Sequence, residues 1–215
     1  MNPKTLLLWP FRTLFGYYKT YHGNGRPLLK YIGIIGAITY LTFYLIRFTR
    51  PNPRPFDDVG LRLLVVCAFT LLALRDHWPE KLKKYYLPYS YGALIFCMPF
   101  FNVYFSLERG GGVPAMSNCF IALTFLVMLT DWRNTLAMLA VGIGAASTIY
   151  FGLHPGGRWP PDMLAQLPAY LIVLIGGGAF KLSEKQIDSE KSRVAAALAG
   201  SIAHEMRNPD RKSVV

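Results

Sequence analysis

The chain has 215 residues, of which 53% are hydrophobic and only 16% charged, a balance too apolar for an ordinary soluble domain and one that points to a multi-span membrane protein. The net charge of +11 raises nucleic acid as a partner, but no basic stripe with interleaved aromatics is present. The positive residues sit between apolar runs, as topology determinants do, which argues against a nucleic-acid partner.

In chain order, residues 1–28 form a basic, aromatic segment with Trp9, Phe11, Phe15, Tyr17 and Tyr18 beside Lys4, Arg12 and Lys19. Such a segment suits a helix lying at the cytoplasmic membrane surface. Trp9-Pro10 and the absence of a small-residue cleavage site argue against a cleavable signal peptide.

Residues 29–180 read as a six-helix transmembrane domain, with apolar stretches near 29–46, 59–74, 86–106, 114–130, 134–152 and 163–180. Several are shorter than the roughly 20 residues usually needed to span. The second carries Arg62 near its start, placed to snorkel toward the interface. The connections are short. Pro51, Pro53 and Pro55 exclude helix between the first two stretches, and Gly110-Gly111-Gly112 and His154-Pro155-Gly156-Gly157 are turns. Cys67, Cys97 and Cys119 all fall in apolar runs and read as buried thiols, not as a disulfide framework or a metal cluster.

Polar groups within the stretches, among them Tyr89, Asn102, Ser117, Asn118, Gln166 and Tyr170, are candidates for contacting the head group of a hydrophobic ligand. Helix–helix hydrogen bonding would use the same residues. Phe96, Phe100, Phe101 and Phe105 could hold an acyl chain or face lipid. Gly176-Gly177-Gly178 allows close helix approach or a hinge. It sits at membrane depth without the Lys-Ser/Thr of a phosphate-binding loop.

With the N-terminus inside and six spans, the inner side receives fourteen Lys and Arg: Lys4, Arg12, Lys19, Arg26, Lys30, Arg75, Lys81, Lys83, Lys84, Arg133, Lys181, Lys185, Lys191 and Arg193. The outer side receives six: Arg47, Arg50, Arg54, Arg62, Arg109 and Arg158. That bias places both termini in the cytoplasm. The outer loops are too small for a separate sensor domain, so any signal enters the bundle, partitions through lipid, or is a property of the membrane.

From Lys181 to Met206 there is no proline, and Ala195, Ala196, Ala197 and Ala199 favour helix. Ile187, Val194, Leu198, Ile202 and Met206 fall on one stripe, with His204 roughly 150° from its middle. Such a stripe packs against a partner helix and leaves the imidazole to water. Glu205 stands where a general base would, and Pro209 ends or kinks the helix. A zinc-protease reading needs a second histidine where Asn208 stands.

The run Gly200-Ser201-Ile202-Ala203-His204-Glu205-Met206-Arg207-Asn208-Pro209 resembles the H-box of sensor histidine kinases. With the basic aromatic N-terminus and six spans with small outer loops, the chain resembles the CqsS/LqsS/PhcS group of quorum-sensing membrane histidine kinases. The resemblance implies that 181–209 is a cytoplasmic signalling helix, the first dimerisation and phosphoacceptor helix, with His204 phosphorylated. It implies that Glu205 assists transfer and that Asn208 orients water in the phosphatase reaction. It also implies a homodimer through the helix after Lys181, a response regulator or phosphorelay partner, and a hydroxyketone or hydroxy fatty acid ester autoinducer as ligand. The location implied is the bacterial inner membrane.

No ATP-binding domain follows the H-box, so no cofactor is expected in this chain. ATP and Mg would belong to a catalytic domain, and the chain alone is expected not to phosphorylate itself. Residues 210–215, where an apolar residue is usual, are expected to be a non-native tail. A six-span transporter or scaffold without kinase chemistry would call for internal repeats or charges near the bilayer middle, and few such features are present.

Overall fold

A computed structural model describes residues 3–22, 28–48 and 59–207, and among these the regular structure is helical with no strand. The chain divides into two units, Met1–Leu174 and Ile175–Val215.

The first unit holds α1 (Pro3–His22), α2 (Leu28–Phe48), α3 (Val59–Ala73), α4 (Glu80–Ile95), α5 (Phe101–Glu108), α6 (Val113–Leu129), α7 (Trp132–Leu153) and α8 (Pro161–Ala165), and α9 (Leu167–Arg207) begins in it. All six apolar stretches fall on helices. Four segments have the length and apolarity to cross a membrane: Leu28–Ile46, Glu80–Glu108, Trp132–Leu153 and Pro161–Ile202. Val59–Ala73 and Val113–Leu129 are apolar but shorter. Large apolar side chains are exposed along these helices, including Ile38 at 60% and Ile172 at 71%. An apolar surface this extensive suits lipid and not water, and makes the chain a multi-pass membrane protein.

α2 and α3 pack closely because α2 presents glycine to α3. A Cβ on Gly33 would lie 2.5 Å from the Ala73 backbone nitrogen, and one on Gly36 would lie 2.6 Å from the Phe69 ring. Small residues four positions or fewer apart are how membrane helices approach without a hydrophobic driving force.

α4 and α5 are one helical rod interrupted by a π-helical turn at Phe96–Phe100. Pro99 lies inside that turn and has no N–H to donate, and the Phe101 N–H reaches back five residues to the Phe96 carbonyl. The wider turn leaves carbonyls for side chains to satisfy. The Asn102 amide does so, with Nδ2 donating to Met98 O at 2.8 Å and Cys97 O at 3.2 Å. α7 closes on this turn at Gly142, where a Cβ would sit 2.5 Å from the Pro99 ring.

α5 ends in a glycine cap. Gly110 has φ +65°, its N–H donates to Leu107 O at 3.1 Å, and the next N–H, that of Gly111, donates to Ser106 O at 2.9 Å.

α1 packs against the bundle. Tyr18 is fully buried and its hydroxyl shares a 2.8 Å hydrogen bond with Ser90 of α4. Asn134 of α7 donates to Leu14 O at 3.0 Å and accepts from the Tyr91 hydroxyl at 3.1 Å. Burial pushes the Tyr18 phenol well above its ordinary range, so it stays neutral. Tyr18 and Tyr91 meet edge to face, with centroids 5.0 Å apart.

Two expectations change here. Arg62 does not snorkel outward: it is 4% exposed, and its guanidinium lies 5.3 Å from the Phe105 ring centroid and 5.9 Å from that of Phe101. The aromatic faces attract the cation, which keeps it inside. Cys97 and Cys119 are buried, but Cys67 is exposed because it lies on the face of α3 opposite Val65, Phe69 and Leu72.

Gly176-Gly177-Gly178 lies within α9, whose helix runs from Leu167 to Arg207. The sixth apolar stretch is broken earlier, at Gln166, where α8 ends and Pro168 opens the first turn of α9.

Candidate functional site: an apolar cavity and a histidine-bearing helix

The first unit holds a partly open cavity of about 240 Å³ between the π-turn with α5, α6, α7, α8 and the start of α9. Its walls are nearly all carbon. Leu123 and Leu126 come from α6, Leu139 and Ile143 from α7, and Leu167, Leu171 and Leu174 from the first two turns of α9. Trp159 and Met163 also line it, and the segment carrying them is fastened where Gly112 N–H donates to Asp162 Oδ2 at 3.2 Å. A second tie at that end sets His154 Nε2 3.8 Å from Glu108 Oε2. Asn102, Cys119, Tyr170 and Trp159 are the lining residues that carry side-chain polar atoms.

The polar candidates separate cleanly. Asn102 and Tyr170 line this cavity. Asn102 is already engaged, since its amide holds the π-turn carbonyls and exchanges hydrogen bonds with the Tyr40 hydroxyl at 3.0 and 3.2 Å. Tyr170 donates to the Met116 sulfur at 3.6 Å, a weak bond that a better acceptor would displace. Asn118 lines a different, smaller cavity of about 120 Å³ between α2 and α6. Tyr89 donates to Ala68 O at 2.9 Å and ties α4 to α3, which is the helix–helix role. Ser117 and Gln166 are exposed and line neither cavity. None of Phe96, Phe100, Phe101 and Phe105 lines the main cavity; Phe101 and Phe105 lie under Arg62.

Cys119 sits at the cavity wall, 3.2 Å from the Ser106 hydroxyl and 3.4 Å from the Asn102 carbonyl. Sequence reasoning reads Cys119 as a buried thiol and sets Met163 at the start of the sixth apolar stretch, but gives neither of them, nor Trp159, a place in a ligand site. The signal available was Trp159, a large apolar ring in a connection too short to reach far from the bundle.

The second unit is the remainder of α9. Ile187, Val194, Leu198 and Ile202 are 49%, 59%, 60% and 55% exposed, an apolar stripe uncovered along its length. His204 and Glu205 lie on the last turns of α9, but their side chains, like Asn208 and residues 210–215, are outside the described residues. Among the described residues no group of His, Cys, Asp and Glu is arranged to hold a metal ion.

The chain is similar to the CAI-1 autoinducer sensor kinase/phosphatase CqsS of Vibrio cholerae serotype O1, with 26% identity over 195 residues. The match covers 89% of this chain and 28% of the CqsS protein, so the chain spans less than a third of that relative's length. No protein-family model and no solved structure matches. The likeness extends over nearly all of this chain and supports a CqsS-type sensor region.

Proposed function

We propose that this chain is the sensor region of a quorum-sensing two-component histidine kinase of the inner membrane. In this reading a hydrophobic autoinducer, a hydroxyketone or hydroxy fatty acid ester, occupies the cavity of about 240 Å³ and controls phosphorylation of His204. The observation that carries the proposal is that one helix serves both ends: α9 supplies Leu167, Tyr170, Leu171 and Leu174 to the cavity wall and carries His204 near its C-terminal end. The similarity to an autoinducer sensor kinase across 89% of the chain supports the same assignment.

The chemistry of the cavity fits such a ligand. A carbon-lined space takes an alkyl chain, and each methylene buried contributes about 0.8 kcal/mol. The Tyr170 hydroxyl and the Cys119 thiol offer a keto or hydroxyl group a hydrogen bond at the wall. The six apolar helices and the Lys/Arg bias support six spans with both termini in the cytoplasm, the side on which His204 would meet ATP. Phosphoryl transfer needs a catalytic domain that binds ATP and Mg, supplied outside the sequence described here. Glu205 then acts on the imidazole as general base, Asn208 orients water in the reverse hydrolysis, the apolar stripe after Lys181 joins two copies, and a response regulator or phosphorelay protein accepts the phosphoryl group.

The test is autophosphorylation from γ-labelled ATP in membranes, with this chain fused to its catalytic domain. His204→Gln should abolish labelling. Leu126→Trp, which fills the cavity, should keep labelling but lose its response to an added hydroxyketone. Label retained in the His204→Gln protein refutes the phosphoacceptor. An unimpaired response in Leu126→Trp refutes the pocket.

A further inference from the structure

The smaller cavity between α2 and α6 is about 120 Å³ and adjoins the main one. Met98 and Ala122 line both, so these two side chains are the partition. Alongside them the Tyr40–Asn102 hydrogen bond runs from one cavity to the other, since Tyr40 lines the smaller and Asn102 the larger. Ala122 is among the smallest residues that could stand there, and Met98 is unbranched and changes rotamer easily. The rim of the smaller cavity is Ile35, Phe43 and Ile121, exposed by 48%, 41% and 50% on faces that meet lipid. Thr39, Tyr40 and Asn118 put hydroxyl and amide groups along the same groove. Trp159 and Met163 line the main cavity on the segment held by the Asp162–Gly112 hydrogen bond, and its α9 wall is partly exposed at Leu167 and Leu171.

We propose that the main cavity is loaded sideways from the bilayer, through the groove between α2 and α6, with the Met98 side chain as the gate. This rests on the reading of the main cavity as the ligand site. The occupant in transit is a neutral amphiphile with a single alkyl chain. Such a molecule leaves water for lipid at every methylene it carries, so its concentration beside the rim far exceeds that in the aqueous phase. Its chain passes Ile35 and Ile121, and its hydroxyl or keto group exchanges hydrogen bonds with Thr39, Asn118 and Tyr40. Rotation of Met98 then joins the two spaces.

The experiment uses the whole chain in lipid nanodiscs and 10-bromodecan-1-ol as probe, whose bromine quenches the Trp159 indole on contact. A Trp159→Phe control identifies the cavity signal. Thr39→Phe narrows the groove without touching the main cavity. It should slow both the onset and the reversal of quenching by about tenfold and leave half-saturation within about twofold, because a blocked doorway changes rates and not equilibrium. Ile35→Phe, on the exposed rim and therefore tolerant, should slow them in the same direction, and Met98→Ala should accelerate them. Wild-type rates in both Thr39→Phe and Ile35→Phe, at full quench amplitude, overturn lateral loading and leave the pocket standing. Absence of saturable Trp159 quenching in the unaltered chain overturns the pocket reading itself, and the doorway with it.

Discussion

Replacing Asn102 by Leu tests whether this residue is a structural brace and not a ligand contact. The side chain is nearly isosteric, so the change removes hydrogen bonds without leaving a cavity. Three groups lose a hydrogen bond: the Met98 carbonyl at 2.8 Å, the Cys97 carbonyl at 3.2 Å and the Tyr40 hydroxyl at 3.0 Å. Asn102 is 1% exposed, so water cannot replace it. Each buried polar group left unsatisfied costs roughly 1–3 kcal/mol. Interhelical hydrogen bonds in membrane proteins fall at the low end, about 0.6 kcal/mol on average. The Cys97 carbonyl keeps a long 3.4 Å bond from Tyr40. That bond also leaves the Tyr40 hydroxyl a partner, so the loss is set mainly by the Met98 carbonyl and amounts to about 1–2 kcal/mol. Reversible unfolding in mixed detergent micelles measures it. A double-mutant cycle with Tyr40→Phe should return a coupling of about 0.5–1 kcal/mol, because the Tyr40 hydroxyl and the Asn102 amide bond each other directly. A destabilisation under about 0.5 kcal/mol would show that the π-turn does not depend on this amide.

Gly142→Ala should destabilise by about 1–3 kcal/mol in the same assay, because its Cβ meets the Pro99 ring at 2.5 Å and the Phe100 nitrogen at 2.9 Å, neither of which can swing away. Gly144→Ala, with open space around its Cβ, is the neutral control. Lys30 and Asp76 form an exposed ion pair that holds the Asp76 carboxyl below the usual carboxylate range. A depressed carboxyl contributes above its unfolded value and loses that contribution as pH falls through its folded value. The difference between wild type and Asp76→Asn should therefore be small at neutral pH, vanish in acid, and shrink in high salt, as read by thermal unfolding. Leu198→Cys should form a disulfide-linked dimer in membranes under mild oxidant if the exposed stripe is the contact between two copies, whereas Ala196→Cys, off the stripe, should not.

The helices were legible because apolar runs bounded by Pro, Gly and charge permit little else in a membrane chain. The interruption at Phe96–Phe100 was not, although Pro99 stood in the middle of the third stretch. Proline in such a run is compatible with a kink, a π-turn or a break, and the choice depends on whether a side chain is present to satisfy the freed carbonyls. Here Asn102 is that side chain. The inward turn of Arg62 was hidden for a similar reason. Its partners Phe101 and Phe105 are some forty residues away in sequence, and only the packing of α3 on α5 brings the rings beneath it. The polar candidates illustrate the limit most clearly. Asn102, Asn118, Ser117 and Tyr170 look equivalent along the chain. Rotation about three different helix axes puts the first and last in one cavity, the second in another, and the third outside both.

The wall of the main cavity contributed by α9 differs from the others in how it is held. Leu167 and Leu171 are 50% and 55% exposed although they line it, whereas Leu126 on the facing helix is fully buried. The hydrogen bond from Tyr170 to the Met116 sulfur is a weak one. A ligand can shift an equilibrium only by the difference in its affinity for the two states. A wall already locked by packing would demand more of that difference than a few buried methylenes provide. The α9 wall demands little, because a chain lying against Leu167, Leu171 and Leu174 supplies apolar contact that the empty cavity lacks, at about 0.8 kcal/mol for each methylene. Three or four such methylenes are enough for a shift of about a hundredfold in population. In the proposed sensor, placing the loosest wall on the helix that also carries His204 would make occupancy of a small apolar space a usable signal.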